Sequence, residues 1–151
     1  MLLAIDPFQE LGLKTVNIGL CGLGTVGGGT FNVLARNSAE IQASANCIVK
    51  VTHVGARRDN PAVDLSGVKV SRDIFDVVND PEVDVIVEMI GGTTTAKDLV
   101  LQAIENGKHV VTANKALIAE FGGEIFAAAE KKNVCVAFEA AVAGGIPIIK
   151  V

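Results

Sequence analysis

Four short segments of this chain carry residue types that packing alone does not ask for. The first, Gly22-Leu23-Gly24-Thr25-Val26-Gly27, spaces three glycines as Gly-x-Gly-x-x-Gly. It follows an apolar run, Val16–Leu20, and opens a helical stretch, Thr25–Ala35. That context gives the pattern a mechanism. Gly22 permits a tight turn, Gly24 removes a side chain where a phosphate must approach the backbone, and Gly27 lets helix and strand pack closely. Backbone amides and the helix dipole then meet a pyrophosphate. Gly27-Gly28-Gly29 inside a helix costs about 1 kcal/mol per residue relative to alanine, a cost easier to understand at a functional site.

The second segment, Gly55-Ala56-Arg57-Arg58-Asp59, follows the next strand-like run. Nucleotide-binding sheets often place an acidic residue there to hold ribose hydroxyls. Arg57 and Arg58 could instead pair with a 2′-phosphate, which favours NADP, while Asp59 keeps NAD open. The third segment, Glu88-Met89-Ile90-Gly91-Gly92-Thr93, ends another strand. Ile90, Gly91 and Gly92 allow close approach and Thr93 offers a hydroxyl, so this turn should face the nicotinamide half of a dinucleotide. In the fourth, Thr112-Ala113-Asn114-Lys115, an amide and an ammonium stand at a strand's carboxyl end, beside the same groove.

The elements that must position these segments alternate in type. Strands are expected at Val16–Leu20, Cys47–Gly55, Val68–Val70, Val83–Ile90, His109–Thr112 and Val134–Phe138. Helices are expected at Thr25–Ala35, from Ser71 or Asp73 to Asn79, at Thr94–Asn106 with Gly107 closing it, and at Lys115–Lys132 with an interruption at Gly122-Gly123. The Val83–Ile90 run is almost wholly apolar, as for a strand buried on both faces. Strand–helix alternation implies right-handed crossovers. The expected fold is therefore α/β: a Rossmann-type, doubly wound, mainly parallel sheet with helices on both faces. The arginine pair lies further from the glycine motif than is usual, so the first helix and its loop must be long.

The bulk properties narrow the function. A chain of 151 residues that is 50% apolar suits one compact domain. A formal net charge of -4 argues against nucleic-acid binding and means that an anionic ligand needs a local positive site. Cys21, Cys47 and Cys135 are scattered and read as reduced, buried fillers in a cytoplasmic protein. His53 and His109 stand alone and read as core or strand-end residues. Residues 1–14 read as an extension before a nucleotide-binding domain at 15–151. Met1–Ile5 is too short and lacks the basic flank of a signal peptide, and no run is long enough to span a membrane.

Taken together, Gly-Leu-Gly-Thr-Val-Gly-Gly-Gly, Val110-Val111-Thr112-Ala113-Asn114-Lys115-Ala116-Leu117-Ile118-Ala119 and Phe138-Glu139-Ala140-Ala141-Val142-Ala143-Gly144-Gly145-Ile146-Pro147 resemble homoserine dehydrogenase, from about Val16 onward. The resemblance implies oxidation of L-homoserine to L-aspartate 4-semialdehyde with NADP or NAD, or the reverse, in the biosynthesis of threonine, methionine and isoleucine. It implies that Lys115 lies near substrate and nicotinamide, where an ammonium could polarise a carbonyl oxygen and help proton transfer. The glycine loop and the Gly91-Gly92-Thr93 turn match cofactor contacts. Glu139, Val142, Gly144 and Ile146 match positions that hold a monovalent cation such as sodium, largely through backbone carbonyls. Two departures stand out: Thr95 occupies a place where the family often has proline, and the family's substrate domain, with a second lysine and most of the dimer interface, has no counterpart here. The terminal run Gly144–Val151 reads as the start of a further element, so a shortened chain is expected, inactive alone, from a homo-oligomeric enzyme. The alternatives are a related amino-acid dehydrogenase or reductase, and a non-catalytic NAD(H)-sensing module.

Overall fold

The computed structural model describes residues 13–142 together with Gly144 and Ile146. The expected extension up to residue 12, and all of the further element expected over Gly144–Val151 except Gly144 and Ile146, lie outside the described residues. Six strands, β1 (Thr15–Cys21), β2 (Ile48–Gly55), β3 (Lys69–Ser71), β4 (Val85–Glu88), β5 (His109–Thr112) and β6 (Val136–Ala137), form one sheet in the order β3-β2-β1-β4-β5-β6. Every neighbouring pair is parallel. The chain winds outward from β1 to β3, crosses back to β4 and winds outward again. The winding direction therefore reverses between β1 and β4, where open α/β sheets take their ligands.

The helices are α1 (Thr25–Arg36), α2 (Ser38–Ala45), α3 (Ile74–Val78), α4 (Thr94–Glu105) and α5 (Lys115–Lys132), followed by a short 3-10 turn at Glu139–Ala141. Side chains alternate across the sheet, so each strand feeds two cores. Ile18, Leu20, Val54 and Val87 pack with Leu23, Phe31 and Val63 on one face. Cys21, Ile86 and Val110 pack with Val77, Leu99, Val100, Leu117 and Ile125 on the other. Helix α1 covers the first face, and α3, α4 and α5 cover the second.

Several local expectations change. Helix α2 was not anticipated; it buries none of its residues, so its sequence carries no apolar stripe to betray it. It supplies the extra length between the glycine motif and the arginine pair. β4 is shorter at both ends than Val83–Ile90, because the chain turns out of the sheet after Glu88. Helix α5 runs unbroken through Gly122-Gly123, with Gly122 buried beside Ile118 and Phe126. Of the cysteines, all free, only Cys21 is the buried filler expected; Cys47 is half-buried and Cys135 exposed. Burial, with the charge of Glu88 behind it, pushes the Cys21 thiol up to about 12.

Buried polar groups tie the amino-terminal edge together. His53 is 1% exposed, with Nδ1 2.8 Å from Asp80 Oδ2 and Nε2 2.8 Å from the Ser71 hydroxyl. Lys108 donates to the carbonyls of Asp80 and Val83 at 2.7 and 2.6 Å, and its burial lowers its pKa. Gly107, at a φ of 74°, ends α4 as expected. Its amide reaches Ile104 O, and the Lys108 amide reaches Ala103 O, a pairing that satisfies the last carbonyls of the helix.

The glycine triplet of α1 now divides by surroundings. A Cβ at Gly28 would meet Asn60 Nδ2 at 2.6 Å, whereas one at Gly29 meets nothing within 4 Å. Gly29→Ala should therefore raise unfolding stability by about 0.5–1 kcal/mol, read as a higher urea midpoint at unchanged slope. Gly28→Ala should lower the midpoint.

Candidate functional site

The carboxyl edge of the sheet, where β1 reverses into α1, is shaped by close backbone approach. Gly22 has a φ of 102°, and its amide donates to Gly55 O at 2.8 Å, joining the β1 turn to the end of β2. A Cβ at Gly22 would lie 2.6 Å from the Met89 carbonyl, and one at Gly27 would overlap the Gly22 carbonyl. Both glycines are thus required by the fold. Gly24 differs: it is the N-cap of α1 with no side-chain cap, and a Cβ there would meet no atom within 4 Å. The first amides of α1 have no intrahelical acceptor, and the first turn holds no acidic residue. An open helix end with free amides and no side chain in the way is an anion site.

That end opens into a groove of about 1280 Å³. Its walls include Gly22, Leu23, Gly24 and Thr25 from the β1 turn, Arg57, Arg58 and Asp59 after β2, Arg72 after β3, and Ile90, Gly91 and Thr95 after β4. Arg57 and Arg58 are exposed and have no hydrogen bond or ion pair among the described residues. Asp59 is engaged by Arg72, whose Nη2 lies 2.8 Å away, and Arg72 Nη1 also donates to Ala56 O at 3.2 Å. The Asn60 amide donates to Leu23 O at 3.0 Å and holds the far wall to the glycine loop. A second cavity, of about 810 Å³, lies at the amino edge of the sheet and is lined by residues such as Lys14, Asp84 and His109. It contains none of the motif residues.

Beyond the groove, two turns meet. Glu88, fully buried, accepts from the amides of Ile90 and Gly91 at 2.9 and 3.3 Å and from the Thr112 hydroxyl at 2.6 Å. Thr112 Oγ1 in turn accepts from the Asn114 amide at 3.0 Å. The Asn114 side chain caps α5 by accepting from Leu117 N at 3.1 Å and donates to Gly92 O at 2.6 Å. Gly91 and Gly92 both sit at positive φ, 72° and 71°, which lets the turn present its backbone this way. All of Glu88's partners are donors, the set a charged carboxylate takes. Lys115 follows as the first residue of α5. It is exposed and has no hydrogen bond or ion pair among the described residues.

Most of the residues singled out in the sequence converge on this edge. Gly22, Leu23, Gly24, Thr25, Arg57, Arg58, Ile90 and Gly91 line the groove itself. Val26, Gly27, Gly92, Thr93, Asn114 and Lys115 stand outside its lining. Gly92 and Asn114 are joined by a direct bond, and Thr93, the N-cap of α4, makes no capping bond with its hydroxyl. Glu139, Val142, Gly144 and Ile146 lie past β6. There Val142 N donates to Glu139 O at 3.1 Å, Gly144 has a φ of 61°, and Ile146 is 63% exposed. Sequence reasoning missed Asn60, Arg72 and the linking role of Glu88. A buried acid closing an otherwise apolar strand was the available signal for the last.

A family profile described as "Homoserine dehydrogenase, NAD binding domain" matches residues 22–139. A homoserine dehydrogenase of Pseudomonas aeruginosa is 63% identical over 138 residues, 91% of this chain and 32% of that protein. One of Neisseria gonorrhoeae is 52% identical over 139 residues, with the same two shares. The crystal structure of a homoserine dehydrogenase from Thiobacillus denitrificans superposes with a TM-score of 0.85 at 56% identity, covering 91% of this chain and 32% of that one. The chain thus spans about a third of the length of the curated relatives it matches.

The open space at Gly24 yields a test that separates ligand from fold. Gly24→Ala should lower the unfolding free energy by no more than about 1 kcal/mol. It should weaken NADPH binding at least about tenfold, because its methyl occupies the approach of a phosphate to the α1 amides. Isothermal calorimetry reads the affinity.

Proposed function

The chain belongs to the homoserine dehydrogenase family, of which it carries the NAD-binding domain, and from that premise we propose that the full-length protein interconverts L-homoserine and L-aspartate 4-semialdehyde. When bound, a nicotinamide dinucleotide supplies or accepts the hydride. The chain's own part is to bind, orient and polarise. The α1 amides around Gly24 take the pyrophosphate, and Ile90, Gly91, Gly92 and Thr93 flank the nicotinamide end. The Lys115 ammonium polarises the substrate oxygen and serves its proton transfer. Asn114 fixes the start of the helix that carries Lys115.

The observation that carries this reading is one juxtaposition: an uncapped helix end and two guanidiniums unpaired among the described residues line a single groove. The guanidiniums favour NADP, since planar forks suit a 2′-phosphate. Asp59, the acid that could hold ribose hydroxyls in NAD, is engaged by Arg72. The Glu139, Val142, Gly144 and Ile146 segment is assigned to a monovalent cation; its support is the family resemblance, with Gly144 at a positive φ. The same reading makes the whole protein a cytoplasmic homo-oligomer serving threonine, methionine and isoleucine biosynthesis.

Calorimetric titration with NADPH and NADH tests the arginine assignment. NADPH should bind more tightly, and Arg57→Ala should remove most of the difference. Equal affinities would leave a dinucleotide site and cancel the 2′-phosphate role. In the full-length protein, Lys115→Ala should lower kcat by roughly 10²–10⁴-fold with NADPH affinity nearly unchanged. An unaltered rate would remove Lys115 from the chemistry, and a full-length protein that binds NADPH without homoserine-dependent turnover would point to a module that binds the dinucleotide without catalysis.

A further inference from the structure

We propose that Glu88 is a positioning residue: with Thr112 and Asn114 it closes a hydrogen-bonded ring that couples the Gly91–Gly92 turn to the start of α5, and so sets where Lys115 stands relative to the nicotinamide end. The proposal rests on the dehydrogenase reading given above for its consequence, but the ring itself is read from contacts. Starting at Glu88, Oε1 holds the Ile90 and Gly91 amides. The Gly92 carbonyl holds the Asn114 side-chain amide. The Asn114 backbone amide is held by Thr112 Oγ1, and the Thr112 hydroxyl returns to Glu88 Oε2. Each turn is therefore fixed at two points, one through the buried carboxylate and one through the exposed amide.

Three observations argue that this is more than a local satisfaction of polar groups. Glu88 and Thr112 are both fully buried, and the register of β4 with β5 places them directly opposite each other. No salt bridge among the described residues involves Glu88; it is held by hydrogen bonds from two amides and a hydroxyl. A buried acid without a cation is expensive unless such bonds are complete, and an apolar residue would be cheaper for packing alone. Finally, the ring joins the two turns that the dinucleotide reading places at the reacting end, and leaves the α1 and arginine segments untouched. Its loss should therefore disturb chemistry more than cofactor affinity. Misplacement of a catalytic group by about 1 Å costs on the order of 10²-fold in rate.

The test alters one turn and reads the other. Thr112→Val keeps shape but removes the hydroxyl that links Asn114 to Glu88. In the cofactor-free protein, hydrogen exchange of the Ile90 and Gly91 amides should speed up at least about tenfold, while amides in the middle of α4 keep their protection. In the full-length protein, kcat for homoserine-dependent NADP reduction should fall about 30- to 100-fold, with KM for NADP within about threefold. Thr112→Ser, which restores the hydroxyl, should recover most of the rate. Glu88→Gln should lower kcat as well, and the double variant Glu88→Gln/Thr112→Val should be no worse than the poorer single one, since both break the same ring. Unchanged exchange at Ile90 and Gly91 in Thr112→Val would overturn the coupling. Altered exchange with wild-type kcat would reduce the ring to a structural brace and overturn the positioning role. A wild-type protein without homoserine-dependent turnover would instead sink the dehydrogenase reading, and the exchange experiment would still decide the coupling, because it needs no substrate.

Discussion

A parallel sheet cannot scatter its loops. Every strand in this chain runs the same way, so the turns after β1, β2, β3, β4 and β5 all emerge on one edge, and the helices that return the chain emerge on the other. That constraint does most of the work of site assembly. Residues as distant in sequence as Gly24, Arg57, Gly91 and Lys115 reach the same edge without any contact having to select them. What remains is local: how close backbones approach and which groups are left unpaired. Gly22 and Gly27 bring the start of α1 against the β1 turn, and Asn60 ties the far wall to Leu23 O.

The electrostatics of that edge oppose the charge of the whole chain. The net charge is -4, yet the groove collects Arg57, Arg58 and Arg72 with the positive end of α1. One of the two acids near this positive end, Asp59, is bound to Arg72. A polyanion thus meets local attraction at this edge against the net charge of the chain. Beyond the groove the buried charge is of the other sign. The buried carboxylate of Glu88 sits behind the Gly91 turn, and its field is felt by the Cys21 thiol beside it.

Much of this was legible in the sequence because it rests on backbone rules. The glycine spacing, the strand–helix alternation and the Asn-Lys step at a strand end each follow from local geometry, and the structure places them where those rules require. What the sequence hid is tertiary. Helix α2 buries nothing, so no periodicity marks it. Arg72 joins the groove only because β3 is the outer neighbour of β2, a pairing of three residues. The Glu88–Thr112 bond depends on β4–β5 register, which no pattern in either strand encodes. Helix α5 runs on through two glycines while Leu117, Ile125 and Ala129 pack into a core shared with α4, tertiary packing that outweighs a weak intrinsic preference.

The strand order also sets a sequence of events during synthesis. β1 lies in the middle of the sheet, so Ile18 and Leu20 emerge early but stay half-covered until β2 and then β4 arrive. The β1–β2–β3 strands, with the glycine loop and the arginines, are all synthesised once the chain reaches Ser71. The β4–β5 half comes later, and its turns need partners near Thr112 and Leu117. The phosphate-facing elements are thus synthesised first and the reacting end last. The long wait of β1 for β4 raises the contact order, which makes folding slow relative to a helical bundle of equal length. A nascent chain stalled between Ser71 and Glu88 would expose the β4-facing edge of β1, so this is the interval in which chaperones have most to protect.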